Sequence, residues 1–65
     1  MTIQELKIRI KAIEAASDDD EVAHRMEDEL FRAVLKAIAD GAAHGPALAA
    51  MVLETDDIQF ARHCA

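Results

Sequence analysis

The chain has 65 residues, 13 of them acidic and 7 basic, for a formal net charge of −6. That length allows one domain, and a domain so small buries only about 60% of the surface its unfolded chain exposes. The charge argues against direct nucleic-acid binding, which needs clustered Lys and Arg, and against an anionic membrane surface. Hydrophobic residues make up 52%, but many are alanine, with two Phe and no Trp or Tyr. A lone chain therefore has a thin core, worth ~3–5 kcal/mol at best. Cys64 is the only cysteine, so an internal disulfide is excluded, and a metal or association remains as the reinforcing device. No apolar run reaches ~18 residues, so no membrane span is expected. Met1-Thr2-Ile3-Gln4-Glu5 lacks a basic stretch leading into an apolar one, so no signal peptide is expected. A cytoplasmic location is the expectation, and the unpaired cysteine agrees with it.

The first helix is predicted over 2–16, with Thr2 as its cap and Glu5 three residues on, as in a capping box. Ile3, Leu6, Ile10 and Ile13 form a narrow stripe suited to a neighbouring helix. Ile8 points the opposite way, either as an ordinary exposed side chain or as the mark of a second, intermolecular contact. Ser17 is predicted to open a second helix over 18–40, forming a shortened capping box with Asp20. Asp18, Asp19 and Asp20 meet the positive end of its dipole, a capping cluster rather than a cation site. No glycine or spaced oxygen ligands of a calcium loop accompany them. Val22, Ala23, Met26, Leu30, Ala33, Val34, Ala37 and Ile38 give this helix a wide apolar arc. It is roughly 33 Å long against about 21 Å for the first, so the first cannot cover it. Gly41 stops it, Pro46 starts a short helix over 46–54, and Thr55 is predicted to cap a last one over 56–64. Leu48, Met51, Val52, Ile58, Ala61 and, at the edge, Phe60 are their expected inward residues.

One band of the second helix carries the only residues that suggest chemistry. Asp20, His24, Glu27 and Asp28 lie on it, and Phe31, Leu35 and Ile38 continue it as an apolar strip. His24 is three residues from Glu27 and four from Asp28, spacings that bring two side chains to one cation. One reading is half of a site for zinc or a similar divalent metal, made by His24, Glu27 and Asp28 and completed by His63 and Cys64 or by a second copy of the chain. The plainer reading is a structural polar contact, His24 with Asp28 or Glu27, or these acids with Arg25 or Arg62. Arg62 folding back onto them would tie the C-terminal segment to the second helix without any metal. Nothing marks a catalytic site. Cys64 is penultimate and His63 points away from it on a helix, and no phosphate-binding glycine loop, CxxC or HExxH is present.

The strings Asp19-Asp20-Glu21, Ala23-His24, Glu27-Asp28 and Leu30, with Ile58, Phe60-Ala61-Arg62 and Cys64-Ala65, run through nearly the whole chain. In these it resembles a group of short helical proteins, of uncharacterised function, from bacteria (notably actinobacteria) and their phages. The resemblance implies no activity. It draws attention to His24, Glu27, Asp28, Arg62 and Cys64, and the chain departs from it at His63, where an aromatic Trp is expected.

The expected fold is all-α: an antiparallel helical hairpin closed by one or two short C-terminal helices. The expected assembly is a homodimer, through the first helix (Ile3, Leu6, Ile8, Ile10, Ile13) or the uncovered part of the second. Three functions fit. The first is a small acidic, non-enzymatic module that binds an unidentified protein partner, as a phage or mobile-element accessory factor would. The others are a metal-binding helical module and an acidic nucleic-acid mimic that inhibits a basic protein.

Overall fold

The computed structural model describes residues 1–62. These form α1 (Ile3–Ala15), α2 (Asp20–Ala39), α3 (Gly45–Leu53) and a short 3-10 turn over Glu54–Asp57, and no strand occurs among the described residues. The protein is all-helical and compact, 33 × 21 × 14 Å along its principal axes. Its helices pack on one another, α3 touching both α1 and α2. Among the described residues no helix is long and apolar enough to cross a membrane.

Each helix end has a local cause. The Glu5 N–H donates to Thr2 Oγ1 at 3.1 Å and starts α1. The cap of α2 is not Ser17 but Asp19, whose carboxylate accepts from the Val22 N–H at 3.2 Å. Ser17 serves the helix before it, its hydroxyl donating to the Glu14 carbonyl at 2.7 Å. With three aspartates following a serine, the strongest acceptor nearest the helix takes the cap, and Ser17 is left to close α1. At the far end of α2 the Ala42 N–H donates to the Ala37 carbonyl (2.9 Å) and the Gly41 N–H to that of Ile38 (3.0 Å). This paired pattern needs a left-handed residue, and Gly41 supplies it at φ +90°. His44 adopts the same region, at φ 62°, to swing the chain into α3.

The core is one cluster: Leu6 and Ile13 from α1, Ala23, Leu30 and Val34 from α2, Leu48 and Val52 from α3. Ile3, Ile10, Met26, Phe31, Ile38, Met51, Ile58 and Phe60 pack round it, half-buried. Leu6 and Ile13 are therefore spent inside this chain and are not free to meet another, correcting their place in an intermolecular stripe. Of those five α1 side chains only Ile8 is well exposed.

The chain after Leu53 departs most from expectation. Thr55 caps nothing. It is fully buried, and its hydroxyl donates back to the Val52 carbonyl at 3.0 Å. No helix runs on from 56: Ile58 turns extended (φ −76°, ψ 129°), and residues 58–62 stay non-helical. The backbone groups a helix would pair internally are used by distant side chains instead, as described below. Residues 63–65 lie outside the described residues, and with them the rest of the predicted 56–64 helix.

Leu48→Ala removes a fully buried side chain and should cost about 2–5 kcal/mol, a large share of a small domain's stability. Leu35→Ala, at an exposed position, should cost under about 0.5 kcal/mol. Urea unfolding followed by circular dichroism separates the two; equal losses would refute this core.

Candidate functional site

Glu27 sits in the middle of α2 with only 3% of its surface exposed, between core residues Ala23 and Leu30. A carboxylate cannot be held there unless a cation and hydrogen bonds replace its water. Arg62, 35 residues further on, supplies both. Its Nε donates to Glu27 Oε1 at 2.9 Å and its Nη2 to Oε2 at 3.1 Å, a two-pronged pair.

The guanidinium also organises its own segment. Nη2 donates to the carbonyls of Thr55 (2.8 Å) and Ile58 (3.1 Å), and Nη1 to that of Phe60 (3.3 Å). Nη2 has two hydrogens for three acceptors, so one is shared. The guanidinium carbon lies 3.8 Å from the centre of the Phe60 ring, close enough for a cation–π contact. One turn before Glu27's neighbour Ala23, Asp20 Oδ1 accepts from the Ala61 N–H at 3.0 Å. Asp20 and Glu27 thus hold the segment 58–62 along α2 at two points.

Burial works against ionisation of Glu27. The hydrogen bonds and positive charge of Arg62, with a smaller contribution from nearby His24, outweigh it and hold the carboxyl below its ordinary value of 4.5. The hydrogen bond to Glu27 raises the Arg62 pKa above its already high ordinary value.

His24 also pairs with Asp28. His24 Nε2 stands 3.6 Å from Asp28 Oδ2, an i,i+4 contact that becomes an ion pair when the ring is protonated. The three residues offered as zinc ligands therefore do not converge. Both Glu27 oxygens face Arg62, and no group of three or more His, Cys, Asp or Glu among the described residues is placed to hold a metal ion. Within the described residues, then, His24, Glu27 and Asp28 do not by themselves form a metal group. A band of helix that looks continuous on a wheel is divided here, because the arginine occupies its buried edge. His63 and Cys64, the other candidate ligands, lie outside the described residues.

The sequence drew attention to Arg62 and Glu27. It gave no sign of Thr55 as a buried carbonyl acceptor in the cluster, of the Phe60 ring beneath the guanidinium, or of Asp20 holding Ala61. Such roles follow from where the chain folds back, and no spacing encodes that. Comparison of the chain with models of known protein families, with curated proteins and with solved structures finds no match.

Arg62→Ala leaves Glu27 buried without its cation. It should cost about 2–3 kcal/mol, less than the ~3–5 of a wholly buried pair because one side of Arg62 meets solvent. The Ala61 amide, which bonds Asp20, should also lose its protection from hydrogen exchange. Unchanged exchange there would refute the latch. Because the folded pKa of Glu27 is lowered, its contribution is complete above about pH 4.5 and is lost as pH falls through the folded value. Thermal melts between about pH 2 and 7 should show that loss in the wild type and a flatter acid limb in Glu27→Gln.

Proposed function

We propose that this chain is a small acidic, non-enzymatic interaction module, built on an antiparallel hairpin of α1 and α2, that works as a homodimer. The observation that carries the reading is how the side chains are allocated. The buried polar cluster is consumed in holding the fold, both Glu27 oxygens being bound by Arg62. Meanwhile three large apolar side chains are turned outward, one on each helix: Ile8 (61% exposed), Leu35 (67%) and Leu53 (59%). Single exposed apolar residues are ordinary, but three on so small a surface are costly unless a partner covers some of them.

The hairpin has support in which residues share surface hollows. Met1 and Glu5 line one with Ala33, Lys36, Ala37 and Asp40. Arg9, Ala12 and Ile13 line another with Met26, Glu29 and Leu30. Rising numbers on α1 meet falling numbers on α2, as the short 16–19 connection favours.

The dimer has support in size. A standard interface takes about 800 Å² from each partner, roughly a fifth of this chain's 4370 Å². Burying that much adds stability that a seven-residue core supplies only sparingly.

Sedimentation equilibrium at about 10 to 500 μM should give twice the chain's mass, with a melting temperature that rises with concentration. A species of single-chain mass throughout, melting at one temperature, would overturn the homodimer.

A further inference from the structure

An open groove of about 590 Å³ lies between α1 and the stretch from α3 into the 3-10 turn. Its floor is apolar: Ile10, Met51 and Ile58, all half-buried. Its walls differ in charge. Lys7 and Lys11, one turn apart, stand on the α1 side, and Glu54 and Asp57 stand on the other. None of these four makes an ion pair with another charged group among the described residues. Glu14 lies on the α1 wall one turn beyond Lys11, at the end near Ser17. On a helical wheel Ile8 falls about 60° from Lys11, on the outer shoulder of the same wall.

We infer that this groove is the homodimer contact, with a second copy of the chain as its occupant. A two-fold axis running along the groove brings each wall of one copy against the opposite wall of the other, so that residue i meets j and j meets i. A surface with lysines on one wall and carboxylates on the other is complementary to itself under that rotation. The basic wall of each copy meets the acidic wall of its partner twice over. The half-buried floor residues and the outer Ile8 are the apolar surface such a contact closes. A uniformly basic peptide would match one wall and be repelled by the other, and an acidic one likewise. The groove therefore selects a partner with both signs in the same arrangement, which a second copy has by construction.

The inference rests on the homodimer reading above, and a charge exchange tests it separately. Two variants are needed: Lys7→Glu with Lys11→Glu, and Glu54→Lys with Asp57→Lys. All four side chains are exposed, so both variants should keep wild-type helicity by circular dichroism. Each alone sets like charges against each other at both wall contacts, and its self-association at about 0.1 M salt should weaken at least about tenfold. Mixed in equal amounts, the two restore opposite charges at both contacts, and a heterodimer should form with near wild-type affinity. A wild-type dimer that neither variant weakens, or a mixture that stays monomeric, would overturn the groove while leaving the homodimer reading intact. A monomeric wild type would overturn both.

Discussion

The structure depends on a charge that has been taken out of water. Glu27 lies on the face of α2 that supplies Ala23, Leu30 and Val34 to the core, and its carboxylate stays ionised there only because a guanidinium is delivered to it. That requirement reaches well past the pair. To bring Arg62 onto Glu27 the chain must abandon the helix after Asp57, and the carbonyls of Thr55, Ile58 and Phe60 then need donors. The same guanidinium provides them. One side chain both causes the departure from helix and satisfies the backbone that the departure exposes. Lysine has the charge but neither the planar fork nor the number of directed donors, so it does not substitute for arginine here.

Such a pair is a poor source of net stability, since desolvating two ions offsets most of their attraction. Its contribution is more plainly one of specificity. A core of leucine, valine, isoleucine and a single alanine tolerates many similar packings. The Glu27–Arg62 pair accepts a single placement of residues 58–62, and the bond from Ala61 to Asp20 fixes the direction in which they run along α2. Thr55, fully buried between α3 and this segment, spends its hydroxyl on Val52 and its carbonyl on Arg62, so nothing polar is left over at the junction. The fold is closed by hydrogen bonds where it lacks the bulk to be closed by packing.

This division explains what the sequence alone made legible. Helix existence, the apolar arcs, the stop at Gly41 and the start at Pro46 follow from local chemistry, and Thr2, Gly41, Leu30, Val34, Leu48 and Val52 take the roles that periodicity and capping assign them. The choice between Ser17 and Asp19 as cap was open to error, because both have an oxygen within reach and a two-residue shift decides it. Misread outright was the stretch after Leu53. Thr55-Asp56-Asp57 has the local signature of a helix start, yet the long-range demand of Glu27 overrides it. The candidate site was visible as residue types, in His24, Glu27, Asp28 and Arg62, but not as a geometry. Wheel arithmetic places His24, Glu27 and Asp28 together, while only the fold decides that Glu27 turns inward to arginine and His24 sideways to Asp28.

A chain with net charge −6 meeting its own copy carries an electrostatic cost, and the proposed groove has to be weighed against it. The cost is diffuse. At physiological ionic strength the screening length is about 8 Å, so charges on the far sides of two molecules 33 Å long scarcely sense each other. The groove charges are local, and in contact they act at separations where screening is weak. In the proposed dimer the repulsion would govern how fast two copies meet, and the wall pairing how they sit once they have met. Neither accounts for the driving force, which falls to the floor of Ile10, Met51 and Ile58 with Ile8 beside it. Inside the chain a buried acid and an arginine set the arrangement while leucine and valine hold it, and in the proposed contact between copies the lysines and carboxylates would set the register while the apolar floor would supply the strength.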